Sequence, residues 1–194
     1  EIMAGAGVGT DGTTFSFAIS ENNWLGRGLK LNSSLNLSKE QVTGGVSINN
    51  PNYNFSDRAL MAGINISETD RTSTSGFKSS KTDINLGTAF EQYEDVWFSP
   101  ELTLSFEDIE VDNSATNSIK KMEGNFINMD LLYGLTLDKR DQSFKPTDGY
   151  KAKFIQSLPL LQDSSSLYNA IDVKTYHDFS DDIIGSLKFV TKGI

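Results

Sequence analysis

One feature constrains this chain more than any other: a period of two that recurs from end to end. Thr14 to Glu21 places Phe15, Phe17 and Ile19 on one face. Leu29 to Leu37 places Leu29, Leu31, Leu35 and Leu37 on one face and Lys30, Asn32, Ser34 and Asn36 on the other. Val42 to Asn49, Leu60 to Ile66, Ile84 to Phe90, Val96 to Glu107 and Ile127 to Leu137 repeat the pattern, and weaker versions cover Tyr150–Leu158, Leu167–His177 and Ile183–Thr191. Successive side chains of a strand point to opposite faces, so each stretch reads as a strand with one apolar and one polar face. With Glu1 to Gly9 first, the count is about eleven strands. Most run to about 8–12 residues, beyond the ~5–6 usual in globular sheets and near the length that crosses a bilayer with a tilt. No segment carries a helical period. The expected fold is all-β: an antiparallel up-and-down meander forming part of a transmembrane β-barrel, not closed within these residues.

Hydropathy alone hides this architecture. Only 37% of the 194 residues are hydrophobic and the mean hydropathy is -0.34. No apolar run approaches the ~20 residues of a membrane helix, whereas barrel strands need only alternate. The net charge of -9 disfavours a nucleic-acid partner, because phosphate binding needs clustered Lys and Arg. The absence of cysteine suits transit through an oxidising periplasm. Glu1-Ile2-Met3 has neither the basic start nor the apolar stretch of a signal peptide, so an exported protein would have its N-terminus upstream.

The connections alternate in character. One set is polar: Ser67–Ser80, Asp112–Lys121 and Leu161–Ser166. The other is aromatic, carrying Trp24, Tyr53, Phe55, Tyr93, Trp97, Phe98, Phe144, Tyr150, Tyr176 and Phe179. In a meander, alternate connections share an end, so the aromatics collect at one rim. A ring of Trp and Tyr at a membrane interface requires that placement, although aromatics capping a β-sandwich would produce it too. Thr10-Asp11-Gly12-Thr13 is a tight hairpin signal tying the first strand to the second.

Motifs that suggest chemistry resolve into structural features. Gly7 to Gly12 spells GxGxxG, but a dinucleotide site needs a helix next, and TTFSFAIS alternates as a strand. His177 is the single histidine and no nucleophile elbow accompanies it. With no cysteine and one histidine, no zinc site is expected. Asp70, Glu107-Asp108 and Asp181-Asp182 lack EF-hand spacing and read as solvated charge. Asn32, Asn36, Asn54 and Asn65 begin N-x-S sequons, read as incidental lumen and turn residues. The expectation is a protein with no catalytic residues, metal or cofactor.

Three stretches go further. Glu21 to Gly28, with Trp24, Gly26 and Gly28, resembles the turn after the second barrel strand of the BamA family, outer-membrane protein assembly factors of the bacterial surface antigen superfamily. Ser47 to Tyr53 resembles that family's T-[ND]-P-Y segment at Pro51, with an extra Asn before the Tyr. Leu135 to Gly149 is the most specific: Asp138, Arg140, Phe144, Pro146, Thr147 and Gly149 match a D-x-R…F-x-P-T-x-G signature in type and order. Pro146 fixes φ, Thr147 and Asp148 bond the local backbone, and Gly149 admits positive φ, so the turn should be rigid.

The resemblance implies that residues 1–194 are the N-terminal portion of a Gram-negative outer-membrane barrel of about sixteen strands. Periplasmic POTRA domains would precede it, and an arginine-motif loop, V-R-G-[FY], and the closing strands would follow. It also implies insertion and folding of client β-barrel proteins, with outer-membrane lipid, unfolded clients and accessory lipoproteins as partners. The seam would be the first strand: Ile2, Met3, Ala4, Gly5, Ala6, Gly7, Val8 and Gly9, whose glycines thin the packing there. An exposed edge is a hydrogen-bonding template for an incoming strand. The rival readings are a TamA-like or two-partner secretion transporter of the same superfamily, a passive porin with charged rings lining its pore, and a soluble adhesin-like β-sandwich.

Overall fold

Residues 1–9, 12–162, 167–180 and 183–193 are described in the computed structural model. They form eleven strands: β1 (Ile2–Gly9), β2 (Gly12–Trp24), β3 (Leu29–Leu37), β4 (Gln41–Asn50), β5 (Arg58–Arg71), β6 (Phe77–Tyr93), β7 (Val96–Val111), β8 (Gly124–Asp138), β9 (Gly149–Leu161), β10 (Tyr168–Ser180) and β11 (Ile183–Gly193). They lie in one sheet in sequence order, every neighbour antiparallel, and β1 and β11 do not pair with each other. The expected eleven-strand open meander is what forms. Among the described residues, helix is confined to a 3₁₀ turn at Tyr53–Phe55 and one turn, α1, at Asn117–Lys120.

The register fixes the two faces. One chain of direct cross-strand partners runs Ile19–Ser33–Val46–Ile64–Ile84–Leu104–Met129, and a parallel one runs Leu31–Ile48–Ala62–Leu86–Leu102–Leu131–Leu158. Phe15, Leu35 and Leu135 lie on the same face. The opposite face carries Ser20–Asn32–Ser47–Gly63–Asn85–Thr103–Asp130, where polar side chains bond one another. Ser20 Oγ donates to Asn32 at 2.8 Å and Ser105 Oγ to Asp83 at 2.5 Å. Glycines on this face make room for them: a Cβ on Gly63 would stand 2.6 Å from Asn85 Oδ1.

The energetics follow from this single layer. Among the described residues only Ala115 and Ala170 are buried hydrophobics, while Phe15, Ile64, Leu86, Phe106 and Ile127 are all exposed. A sheet needs something apolar against such a face. On β7 the outward apolar residues run from Val96 to Phe106, and on β8 from Ile127 to Leu137. Either span is about 33 Å along the strand at ~3.3 Å per residue. A tilt of ~40° reduces it to about 25 Å, the height of a barrel's lipid-facing band. Charges bound the band on β5, where Arg58 precedes Leu60 and Glu68 follows Ile66 on the same face.

One connection differs from its sequence reading. Most of Ser67–Ser80 is strand, because β5 and β6 stay paired from Thr69↔Ser79 to Arg71↔Phe77. Thr and Ser suit a pleated surface as well as a loop, and Lys78 Nζ reaches Glu68 at 2.6 Å while Arg71 pairs with Glu40 at 3.3 Å. The β7–β8 loop then rests on this hairpin: Asp112 N–H donates to Gly76 O at 2.8 Å, and Ala115 packs where Gly76 has no side chain. In the Thr10–Thr13 hairpin, residues 10 and 11 lie outside the described residues, as do 163–166 and Asp181-Asp182. Gly9 and Gly12 pair directly, Gly12 with φ +100°.

Candidate functional site

The β1 edge and the turns at one end of the sheet carry the candidate residues. β1 is eight residues long and pairs only with β2 among the described residues, from Ile2↔Ile19 to Gly9↔Gly12. Its faces are unequal. Ala4 pairs with Phe17 and Ala6 with Phe15, so Ile2, Ala4, Ala6 and Val8 face outward, while Met3, Gly5, Gly7 and Gly9 face the polar side. A Cβ on Gly5 would meet nothing within 4 Å, and one on Gly7 only the Thr14 hydroxyl at 3.2 Å. Ile2 and Val8 are 71% and 85% exposed, so little side-chain packing ties this strand down. Gly7, Gly9 and Gly12, which spell the nucleotide-like motif, lie in β1 and at the start of β2, with a strand where a helix would be needed.

The β8–β9 turn gathers its motif residues. Asp138, ending β8, accepts from Arg140 Nε and Nη2, both at 2.7 Å, and pairs with Lys151 Nζ at 3.1 Å. Arg140 Nη1 also donates to Ser143 O at 3.3 Å. Such a two-pronged guanidinium–carboxylate pair fixes direction as well as distance. Gly149 has φ +93°, and a Cβ there would overlap the Lys139 carbonyl, so glycine is required on both counts. Thr147 donates to Asp141 through its hydroxyl at 2.8 Å and its N–H at 3.0 Å. These bonds, the hydroxyl's first, hold the Asp141 carboxyl below the usual carboxylate range. Asp141 is the residue sequence reasoning missed; the signal was an acceptor six positions before Thr147. Pro146 is half-buried, and Phe144 is 79% exposed at the tip.

The other two motif turns are backbone devices. Leu25, Gly26 and Gly28 have φ between +57° and +68°, and Asn23 Oδ1 accepts from Gly28 N–H at 2.7 Å beside Trp24. After β4, Pro51 opens a turn in which Asn52 Oδ1 accepts from Asp57 N–H at 2.9 Å.

The aromatic turns share one end, but the aromatics do not share one face. Phe90, Phe98, Tyr133 and Phe154 form an outward ladder with centroids 5.8, 6.2 and 6.3 Å apart. Trp97 and Tyr176 fall on the polar face, opposite Thr136 and Ser186, because alternation turns a residue inward whatever its type. His177 is exposed, with Nδ1 3.5 Å from Asp148.

The polar face is less neutral than Ser, Thr, Asn and Gly suggest. That composition holds for β1 to β5 apart from Lys30 and Arg71; β6 to β11 add Lys81, Asp83, Glu101, Glu107, Asp130, Lys151, Lys153, Asp172, Lys174 and Lys188.

A family model for the Omp85 superfamily domain matches residues 23–193. The chain belongs to the Omp85 superfamily. Its fold is similar to that of BamA from Haemophilus ducreyi, solved without POTRA domains 1–3, with a TM-score of 0.68 at 16% identity. That match covers 100% of this chain and 41% of the BamA chain, so these residues span under half of that protein. Superfamily membership places the chain in an outer-membrane family of protein-insertion and transport barrels, and the single eleven-stranded meander is not a β-sandwich.

Proposed function

We propose that the intact protein inserts and folds client outer-membrane β-barrels in the manner of BamA, without bond-making chemistry, and that β1 is the edge on which client strands assemble. The observation that carries this reading is the inequality of β1: small outward residues at Ala4 and Ala6 and glycines inward at Gly5 and Gly7, so that little side-chain packing ties the strand to β2. A strand held by backbone bonds with little side-chain packing can exchange partners at low cost, and its unpaired N–H and C=O groups offer a template. Unfolded clients and outer-membrane lipid are the partners this implies, with accessory lipoproteins acting through periplasmic domains.

The TamA-like and secretion-transporter readings share the fold and predict a translocated substrate instead of an inserted one. Proline separates a working edge from a structural seam, because it removes a ladder N–H without adding charge. Ala6→Pro or Val8→Pro in the full protein is expected to abolish client insertion into vesicles while the barrel still folds. Normal insertion by both variants would overturn the reading.

A further inference from the structure

The polar face of β8 to β11 holds an unusual concentration of positive charge. Lys151, Lys174 and Lys188 are direct cross-strand partners in three successive strands. With Lys153, Arg140, Asp172 and Tyr176 they line a cavity of about 200 Å³. Like charges placed directly opposite are destabilising, so folding alone does not account for the row. Five cations (Arg140, Lys151, Lys153, Lys174, Lys188) stand against two carboxylates (Asp138, Asp172), a local excess of three, in a chain whose net charge is -9.

Both carboxylates are occupied. Asp138 is shared by Arg140 and Lys151, and Asp172 pairs with Lys188 at 3.2 Å. Among the described residues, Lys153 and Lys174 have no carboxylate within ion-pair distance; the Lys174 ammonium lies 4.9 Å from the Tyr176 ring centroid.

From this geometry we infer that the inner wall of β8–β11 is a docking site for an extended, acidic polypeptide segment. Three features select that occupant. The wall faces away from lipid, which removes a lipid headgroup. Arg140, the one rigid two-pronged donor, is already committed to Asp138 and Ser143, so no planar fork is left to fix a single phosphate in two-pronged fashion. The remaining donors are point charges in rows, neighbouring strands about 4.8 Å apart and alternate residues about 6.6 Å apart. Carboxylates at alternate positions of an extended chain repeat at that same 6.6 Å, and a wall lined by one sign of charge attracts such a segment.

The test uses the full-length protein in lipid nanodiscs and a labelled ten-residue peptide of alternating Glu and Ser, followed by fluorescence anisotropy. Binding is expected to weaken as salt rises. Lys153→Gln with Lys174→Gln should weaken it roughly three- to tenfold, the range of two solvent-accessible ion pairs. Lys30→Gln, on the same face of β3, should leave it unchanged. Thermal unfolding of the double variant should shift upward, as relief of like-charge repulsion requires, which separates lost charge from lost fold. Unchanged peptide affinity in the double variant would overturn the inference. So would displacement of the peptide by inorganic pyrophosphate at equal concentration, which would mark a small-anion site. Neither outcome depends on client insertion through β1.

Discussion

Asp141 and Gly149 illustrate how a single position sets the strand-to-strand register. Gly149 lets the chain pass the Lys139 carbonyl at φ +93°, and Asp141 collects the Thr147 hydroxyl and N–H inside the same turn. The carboxylate form is what those donors favour, so Asp141 is easier to ionise in the folded turn than in the unfolded chain. The stabilisation is therefore complete above the ordinary carboxylate pKa of ~3.9 and is lost as pH falls below it toward the depressed folded value. Amide exchange of Asp148 and Thr147 is expected to accelerate as pH falls through that window, after correction for intrinsic rates. In Asp141→Asn the acid-dependent component should vanish. An identical pH profile in that variant would assign the effect to another group.

At the scale of the strand, alternation decides environment. Leu102 lies mid-band on the outward face and Thr103 on the polar face one residue later. Leu102→Lys is expected to destabilise the barrel by about 2–4 kcal/mol in a bilayer, measured by urea unfolding in vesicles, while Thr103→Lys should stay within about 0.5 kcal/mol, as substitutions away from special features do. Equal losses would mean that the register is wrong. This alternation is also why the sheet was legible in the residues: Leu29–Leu37 and Ile127–Leu137 declare both the strand and its inward face. What lacked a signal was different in kind. The pairing of Thr69 to Arg71 with Phe77 to Ser79 depends on cross-strand partners that composition does not encode. The lysine row needs the register of three strands at once, and in Tyr150–Leu158 the lysines merely looked like a weaker alternation. Asp141 was hidden for the same reason, since its role is defined by where Thr147 returns.

For the whole molecule, a single layer with an apolar outer face about 25 Å tall and a polar inner face has one consistent environment: lipid outside and water within. The described sheet ends in two unlike edges, and the central claim concerns one of them. β1 is short and thinned by glycine, whereas β11 carries Leu187 and Phe189 outward. The most direct measurement is site-specific crosslinking in the full protein, with cysteines introduced singly from Ile2 to Gly9 and a client stalled during insertion. Crosslinks to the client's terminal strand are expected from β1 with a period of two, and none from Ile64, which lies in mid-sheet between two paired neighbours. Crosslinks of equal yield from Ile64, or none from β1, would contradict the assignment of β1 as the working edge.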